Sequence, residues 1–234
     1  SQWSDRSAYF LRRWYDLKLI RTLNALVGPG DTVVDVGANY GHFAVAAAAL
    51  VGPAGRVLAF EPNPRAMARL RVNADLNNLW WIDARDAALG EEQGKAVLHV
   101  PRVNSGEATL GRSVYDPASV SEVEIRVERG DAALAGVSPR FIKIDVEGFE
   151  ADVLAGLSQA LPALSFEFTT IQRDVAEACL AHLVALGPYR FTVSLGESQR
   201  LEFAEPVVAG AMRDYLRSLP HSANSGDVYA LLHN

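Results

Sequence analysis

The sequence predicts an α/β fold in which helices cover both faces of a mostly parallel sheet. Short β-branched and aromatic runs alternate with helical segments along the first half of the chain, which is typical of parallel sheets. Several of these runs end at a glycine-rich turn or an acidic residue, where open parallel sheets bind ligands. The 234 residues are 49% hydrophobic and 21% charged, which is ordinary for a globular chain with a substantial core.

The N-terminal segment is predicted to be a helix over residues 9–27, because its apolar side chains recur in steps of three and four. A Gly-Pro-Gly turn at 28–30 ends this helix. Residues 1–30 are therefore expected to form an N-terminal helical cap, and residues 31–234 the ligand-binding domain. The cap carries a local charge excess of basic side chains, which fits either a solvated helix face or a basic flap over an anionic substrate.

The remaining elements follow from the positions of apolar runs and of glycine and proline. The polar residues 102–121 are expected to form a long functional loop. In chain order, strands are predicted at 32–36, 56–60, 80–82, 96–100, 122–127, 141–144, 164–168, 191–193 and 228–232, and helices at 42–51, 64–76, 148–161 and 174–186.

The first candidate ligand loop has the sequence DVGANYG, at residues 35–41. Its glycines allow a ligand to approach the backbone closely. It differs from the dinucleotide pattern GxGxxG, because Asn39 stands where a second glycine would contact the pyrophosphate. Asp35 places a carboxylate beside the loop, which favours a ligand carrying an amino or sulfonium group over a phosphate.

The second candidate is Glu61, which follows the second predicted strand. An acidic side chain in this position can accept hydrogen bonds from ribose hydroxyls. Asp86 and Ala87 follow the third strand, where an acidic side chain could accept from the exocyclic amine of adenine, although a surface turn explains them nearly as well. Together these positions indicate a nucleoside-binding sheet.

The third candidate is the segment KIDVEGFE at 143–150, which ends a buried strand with three carboxylates. Asp145 and Glu147 point to the same side if the chain stays extended there. Glu150 is expected in the first turn of a helix, where the helix dipole favours an anion.

Four segments of the chain together resemble the FkbM family of S-adenosylmethionine-dependent methyltransferases. They are DVGANYG at 35–41, FEPNP at 60–64, ALG at 88–90 and IKIDVEGFE at 142–150. The resemblance covers about residues 31–168, and the last segment is highly specific when it follows the others.

The resemblance implies a Rossmann-like class I methyltransferase fold, with a seven-stranded, mostly parallel sheet and an antiparallel last strand. It implies transfer of a methyl group from S-adenosyl-L-methionine to a hydroxyl of a sugar, polyketide, other secondary metabolite or lipid, with S-adenosyl-L-homocysteine as the second product. The cofactor-binding residues that follow are Asp35, Gly37, Ala38, Asn39, Gly41, Glu61, Pro62, Asn63, Asp86, Ala87 and Asp145.

An alcohol is a poor nucleophile at neutral pH, so a nearby base is expected. The candidates are Asp145, Glu147 and Glu167, with His221 added if the last strand is antiparallel and starts at the same sheet edge. The three carboxylates could also hold Mg²⁺, which prefers oxygen ligands, but the sequence requires no metal.

Composition and charge limit the classes of binding partner and the cellular location that we expect. The net charge of −6 disfavours general nucleic-acid binding, and the longest apolar run, 43–51, is too short for a membrane span. The single cysteine, Cys179, and the lack of an apparent signal peptide favour a cytoplasmic location. The sequence does not indicate which small molecule is the acceptor or what the oligomeric state is.

Two other functions stay open, a nicotinamide-dependent oxidoreductase and a non-catalytic module that senses S-adenosylmethionine.

Overall fold

The computed structural model describes residues 23–101, 120–196 and 200–233. The elements in these ranges, in chain order, are β1 (Thr32–Val36), α1 (His42–Val51), β2 (Arg56–Phe60), α2 (Pro64–Leu76), β3 (Ile82–Arg85), β4 (Ala88–Gly90), β5 (Gly94–Pro101), β6 (Val120–Arg129), α3 (Gly130–Ala133), β7 (Phe141–Ile144), α4 (Glu150–Ala155), β8 (Ala163–Thr169), α5 (Arg173–Leu186), β9 (Tyr189–Leu195), α6 (Ala209–Ser218) and β10 (Ser225–Leu232).

Seven strands form the main sheet, in the order β3-β2-β1-β7-β8-β10-β9. The neighbours from β3 to β8 pair in parallel, whereas β10 is antiparallel to both β8 and β9. Strand order reverses between β1 and β7, so the carboxyl ends of β1, β2, β7 and β8 meet at one edge. The predicted fold class, with its antiparallel last strand, is confirmed.

Helices pack on both faces of this sheet, as the alternating pattern predicts. On one face, side chains such as Val34 and Ile142 pack against apolar residues of α4, α5 and α6. On the other face, Val33 and Phe141 pack against α1 and against Leu23 of the helical residues 23–26. Successive strand residues therefore alternate between two cores, and both faces are apolar because both are covered.

A second, three-stranded sheet has the order β4-β6-β5. Strands β5 and β6 pair antiparallel, and β4 adds to β6 in parallel. Its own small core includes Leu98, Val100 and Ile125. The strands expected at 96–100 and 122–127 are thus correct, and they belong to this separate sheet.

Several element boundaries differ from the sequence prediction. The third strand is Ile82–Arg85 rather than 80–82, because Trp80 is 77% exposed and lies outside the sheet. Helix α4 ends at Ala155 rather than near residue 161, and the next residue, Gly156, packs so closely on β4 that a Cβ there would lie 2.1 Å from the carbonyl oxygen of Gly90. Strand β4 and helices α3 and α6 have no counterpart in the prediction.

Parts of two predictions lie outside the described residues, namely most of the helix at 9–27 and nearly all of the loop at 102–121. The boundary between a cap at 1–30 and a domain at 31–234 stays a prediction. Among the described helices, none combines the length and the apolar character that crossing a bilayer requires.

Candidate active site

The candidate site lies at the carboxyl edge of the main sheet, where four parallel strands end side by side. The start of β10 reaches the same edge, because Ser225 is the register partner of Thr169 at the end of β8. Topology therefore gathers the ends of β1, β2, β7 and β8 and the beginning of β10, as expected for a ligand site at a strand-order reversal.

The loop after β1 is fixed by backbone contacts. The N–H groups of Gly37 and Ala38 both donate to the carbonyl oxygen of Phe60, each at 3.0 Å. Gly37 has φ +80°, and a Cβ there would lie 1.8 Å from the carbonyl oxygen of Asp145. Only glycine allows this contact, so Gly37 holds the β1 loop against the end of β7.

Glu61 is a buried carboxyl group at the end of β2, at this same edge of the sheet. It is 6% exposed, and its two carboxylate oxygens accept the N–H groups of Asn39 and Asn63, both at 2.7 Å. Burial is the main cause that raises the pKa of Glu61 to about 7, while these two hydrogen bonds act in the opposite direction. Each oxygen keeps a lone pair for a second donor.

The segment after Glu61 forms the capped start of α2. Asn63 is the N-cap, and its side-chain oxygen accepts the N–H of Arg65 at 3.1 Å. Pro64 follows as the first helical residue, a position that suits its fixed φ. The PNP turn therefore both starts the helix and aims the Asn63 N–H at Glu61.

An ion pair between a buried lysine and a partly exposed aspartate ends β7. Lys143 is buried, and its ammonium group donates to Asp145 at 2.7 Å and lies 5.8 Å from the ring centre of Phe43. Asp35 is the register partner of Lys143 on β1, so both side chains project from the same face of the sheet. This lysine is part of the KIDVEGFE segment, but nothing in that segment predicts that it pairs with Asp145.

Three predicted carboxylates meet next to this ion pair. One oxygen from each of Asp145, Glu147 and Glu167 lies within 4.8 Å of the others, a spacing that could also hold a cation. Burial first, and then the charges of Asp145 and Glu147, raise the pKa of Glu167 far above its ordinary value. The sequence predicts that Asp145 and Glu147 point to the same side if the chain stays extended. The chain instead turns there, since Glu147 has φ +55°, and the two carboxylates still lie close together.

Asp227 is a fourth carboxylate at this edge, and the sequence analysis did not select it. It is the register partner of Glu167 on β10 and contributes to the raised pKa of that residue. The antiparallel register alone brings it there, and no motif surrounds it.

Other predicted residues are not part of this group of three carboxylates. Asp86 forms an exposed ion pair with Arg71 at 2.5 Å, whereas Ala87 is buried in the core. Gly41 caps α1 and packs against Leu70 of α2. His221 begins a short 3₁₀ turn before β10, and its carbonyl oxygen accepts the hydroxyl of Thr170 at 3.2 Å.

Comparison with known protein families gives a specific match. The model described as the methyltransferase FkbM domain matches residues 35–219. The chain is 29% identical over 160 residues to the hexuronic acid methyltransferase AglP of Haloferax volcanii, covering 67% of this chain and 62% of AglP. It is 31% identical over 170 residues to the 2-O-methyltransferase NoeI of Sinorhizobium fredii, covering 65% of this chain and 68% of NoeI.

Solved structures agree on the fold. The crystal structure of a methyltransferase FkbM from Methylobacillus flagellatus has a TM-score of 0.54 and 18% identity, covering 93% of this chain and 48% of that one. At this identity the likeness shows the shared fold alone. The chain spans about 60% of the length of the first two curated relatives, 62% of one and 59% of the other.

Proposed function

The chain belongs to the FkbM methyltransferase family, and on that premise we propose that it is an S-adenosylmethionine-dependent O-methyltransferase acting on a hydroxyl of a small molecule. The observation that carries the proposal is Glu61, buried at the end of β2 and oriented by the N–H groups of Asn39 and Asn63. A carboxylate held in this way is ready to accept from both hydroxyls of a ribose.

The residues at the edge fit a cationic nucleoside cofactor. The side-chain oxygen of Asn39 is buried and accepts no hydrogen bond within the described part of the chain, so it is available to a donor. Three acidic side chains, Asp35, Glu61 and Asp145, lie at this edge against one lysine, Lys143, a balance that suits an ammonium or sulfonium group better than a pyrophosphate. When bound, S-adenosylmethionine would supply an electrophilic methyl group.

We assign the predicted residues to parts of this cofactor by their places at the edge. Glu61 would accept from the ribose. Asn39 and the loop at 35–41 would bind the methionine portion, and Pro62 and Asn63 would line the nucleoside side. Asp86 stays the candidate for the adenine, since it follows β3, although its ion pair with Arg71 would have to rearrange.

The carboxylate cluster would orient the acceptor hydroxyl and take its proton. Holding the reacting groups in line is worth about 7–11 kcal/mol, and a base adds about 10²–10⁴-fold. Asp145, Glu147, Glu167 and His221 stay candidates for that base. Glu167 is the least suited of the carboxylates, because its raised pKa keeps a proton on it at neutral pH.

The names of the relatives support a hydroxylated acceptor such as a sugar, since one specifies hexuronic acid and another a 2-O position. We propose an acceptor of this class for this chain as well. A cytoplasmic location and the absence of nucleic-acid partners stay predictions.

Calorimetric titration with S-adenosylhomocysteine and, separately, with NAD tests the cofactor. Binding of S-adenosylhomocysteine alone is expected, and binding of NAD alone would replace the proposal with an oxidoreductase. A panel of hydroxylated sugars and polyketide-like alcohols, with labelled methyl donor, then tests turnover. Cofactor binding without transfer to any acceptor would favour a sensing module.

A divalent cation at Asp145, Glu147 and Glu167 is not needed for this chemistry. We therefore expect turnover to be unchanged after dialysis against EDTA. A loss of turnover that Mg²⁺ restores would instead assign the three carboxylates to a metal site.

A further inference from the structure

We propose that Glu150 is a positioning residue, whose side chain fixes the turn that carries Asp145 and Glu147 into the active site. The inference rests on the proposed function, because it treats that turn as the acceptor side of a methyltransferase site. It differs from the sequence interpretation, in which Glu150 only complements the dipole of α4.

The contacts of Glu150 show what it holds. The side chain is buried at 3% exposure, and its Oε1 accepts the N–H of Val146 at 3.1 Å and the N–H of Gly148 at 3.2 Å. These two donors flank Glu147 on either side. The turn between β7 and α4 thus closes around one carboxylate oxygen supplied by the chain itself.

The backbone of the turn needs such support. Glu147 has φ +55° and Gly148 has φ +95°, two consecutive residues in the left-handed region. A non-glycine residue there is uncommon, and it persists where surrounding contacts impose it. Phe149, the N-cap of α4, makes no side-chain capping bond, so within the described residues no cap at that position replaces Glu150.

Variants of Glu150 can distinguish the effect of its hydrogen bonds from the effect of its charge. A single oxygen accepts both N–H groups, and glutamine offers one oxygen in the same place. Glu150→Gln should therefore retain the turn. Glu150→Ala removes both acceptors, and Glu150→Asp shortens the reach by one methylene. Asp152→Ala is the matched control, because Asp152 lies in the same first turn of α4 and its loss removes an equal charge.

The first measurement needs no acceptor. Hydrogen exchange of the Val146 and Gly148 amides is followed by NMR in the wild type and the four variants. Loss of a buried acceptor should speed exchange at both amides by about 10-fold or more in Glu150→Ala. Glu150→Gln and Asp152→Ala should stay near the wild type, and Glu150→Asp should be intermediate. Equal exchange in Glu150→Ala and Asp152→Ala would overturn the inference.

The second measurement separates positioning from general stability. In Glu150→Ala, kcat should fall by about 10-fold or more, because small displacements of reacting groups are costly. The affinity for S-adenosylhomocysteine should stay within about threefold, and Glu150→Gln should restore kcat. Equal losses of kcat and cofactor affinity, or a Glu150→Gln variant as impaired as Glu150→Ala, would show a merely structural or charge-based role.

The two proposals fail in different ways. A wild-type protein that neither binds S-adenosylhomocysteine nor methylates any acceptor would refute the proposed function, whatever the exchange data show. Normal turnover in a Glu150→Ala variant would refute the positioning role and leave the proposed function intact.

Discussion

Glu61 is buried, and its carboxylate is hydrogen-bonded by neighbouring backbone groups. Its two oxygens are held by backbone donors from the loops after β1 and β2, so its orientation does not depend on the ligand. Such preorganisation lowers the entropic cost of binding. The backbone N–H groups of Asn39 and Asn63 therefore act together to orient Glu61.

Replacing Glu61 with alanine should weaken binding of S-adenosylhomocysteine by about 1–3 kcal/mol, because ribose hydroxyls lose a charged acceptor. Calorimetry on the purified variant measures this, and circular dichroism should show a retained fold. Glu92→Ala, at an exposed position in the turn after β4, is the control and should bind normally. Unchanged affinity in Glu61→Ala would remove this residue from the site.

The structure gives Gly37 a packing role that the sequence does not show. The sequence indicates that it leaves room for a ligand, whereas a Cβ there would first meet the Asp145 carbonyl oxygen at 1.8 Å. Gly37→Ala should therefore lower the free energy of unfolding by about 2 kcal/mol or more through backbone strain and displacement. Gly28→Ala has open space and should change stability little in the same urea titration. Equal stability of both variants would contradict this packing.

The turn between β7 and α4 contains both structural contacts and two of the candidate catalytic carboxylates. Lys143 pairs with Asp145, and Glu150 closes the turn behind Glu147. One short segment therefore supplies an ion pair, a helix start and two carboxylates.

Amide variants of this turn should separate binding from turnover. Glu147→Gln should keep cofactor affinity within a few-fold and lower turnover by about 10² if Glu147 accepts or orients the proton. Asp145→Asn should also destabilise the protein, because it leaves Lys143 buried without its carboxylate. Initial rates, calorimetry and thermal melts distinguish these effects. Full turnover in both variants would shift the assignment to Glu167 and His221.

At the scale of the whole molecule, buried carboxyl groups set how stability depends on pH. Burial raises the pKa values of Glu61, Glu150 and Glu167 above their ordinary values, and that of Glu61 to about 7. Between about pH 4.5 and 7 the folded chain holds protons that the unfolded chain has lost. Stability from these groups is therefore greatest below about pH 4.5 and declines as the pH rises.

The free energy of unfolding should accordingly be lower at pH 8 than at pH 5, with about 3 kcal/mol of the difference due to Glu61. Urea titrations at the two pH values measure the change, and Glu61→Ala should reduce it. A wild-type stability that rises over this interval would contradict the burial of these carboxyl groups.

Local sequence determined the elements whose signals are local. Strand β1, strand β2 and helix α2 agree with the prediction, because β-branched runs, a Gly-rich turn and Asn63-Pro64 each act within a few residues. The order of the four motifs also determined the family. These features depend on backbone preference and hydrogen bonds between near neighbours, which the sequence displays directly.

Tertiary structure decided what depends on pairing between distant segments. The antiparallel pair β5 and β6 forms a separate sheet with β4, α4 is followed by Gly156 packed against Gly90, and Asp227 faces Glu167 only through the register of β10 on β8. Burial likewise converts Glu61 and Glu167 into groups of raised pKa. Desolvation and cross-strand register are properties of the folded chain, so no local pattern of residues could specify them.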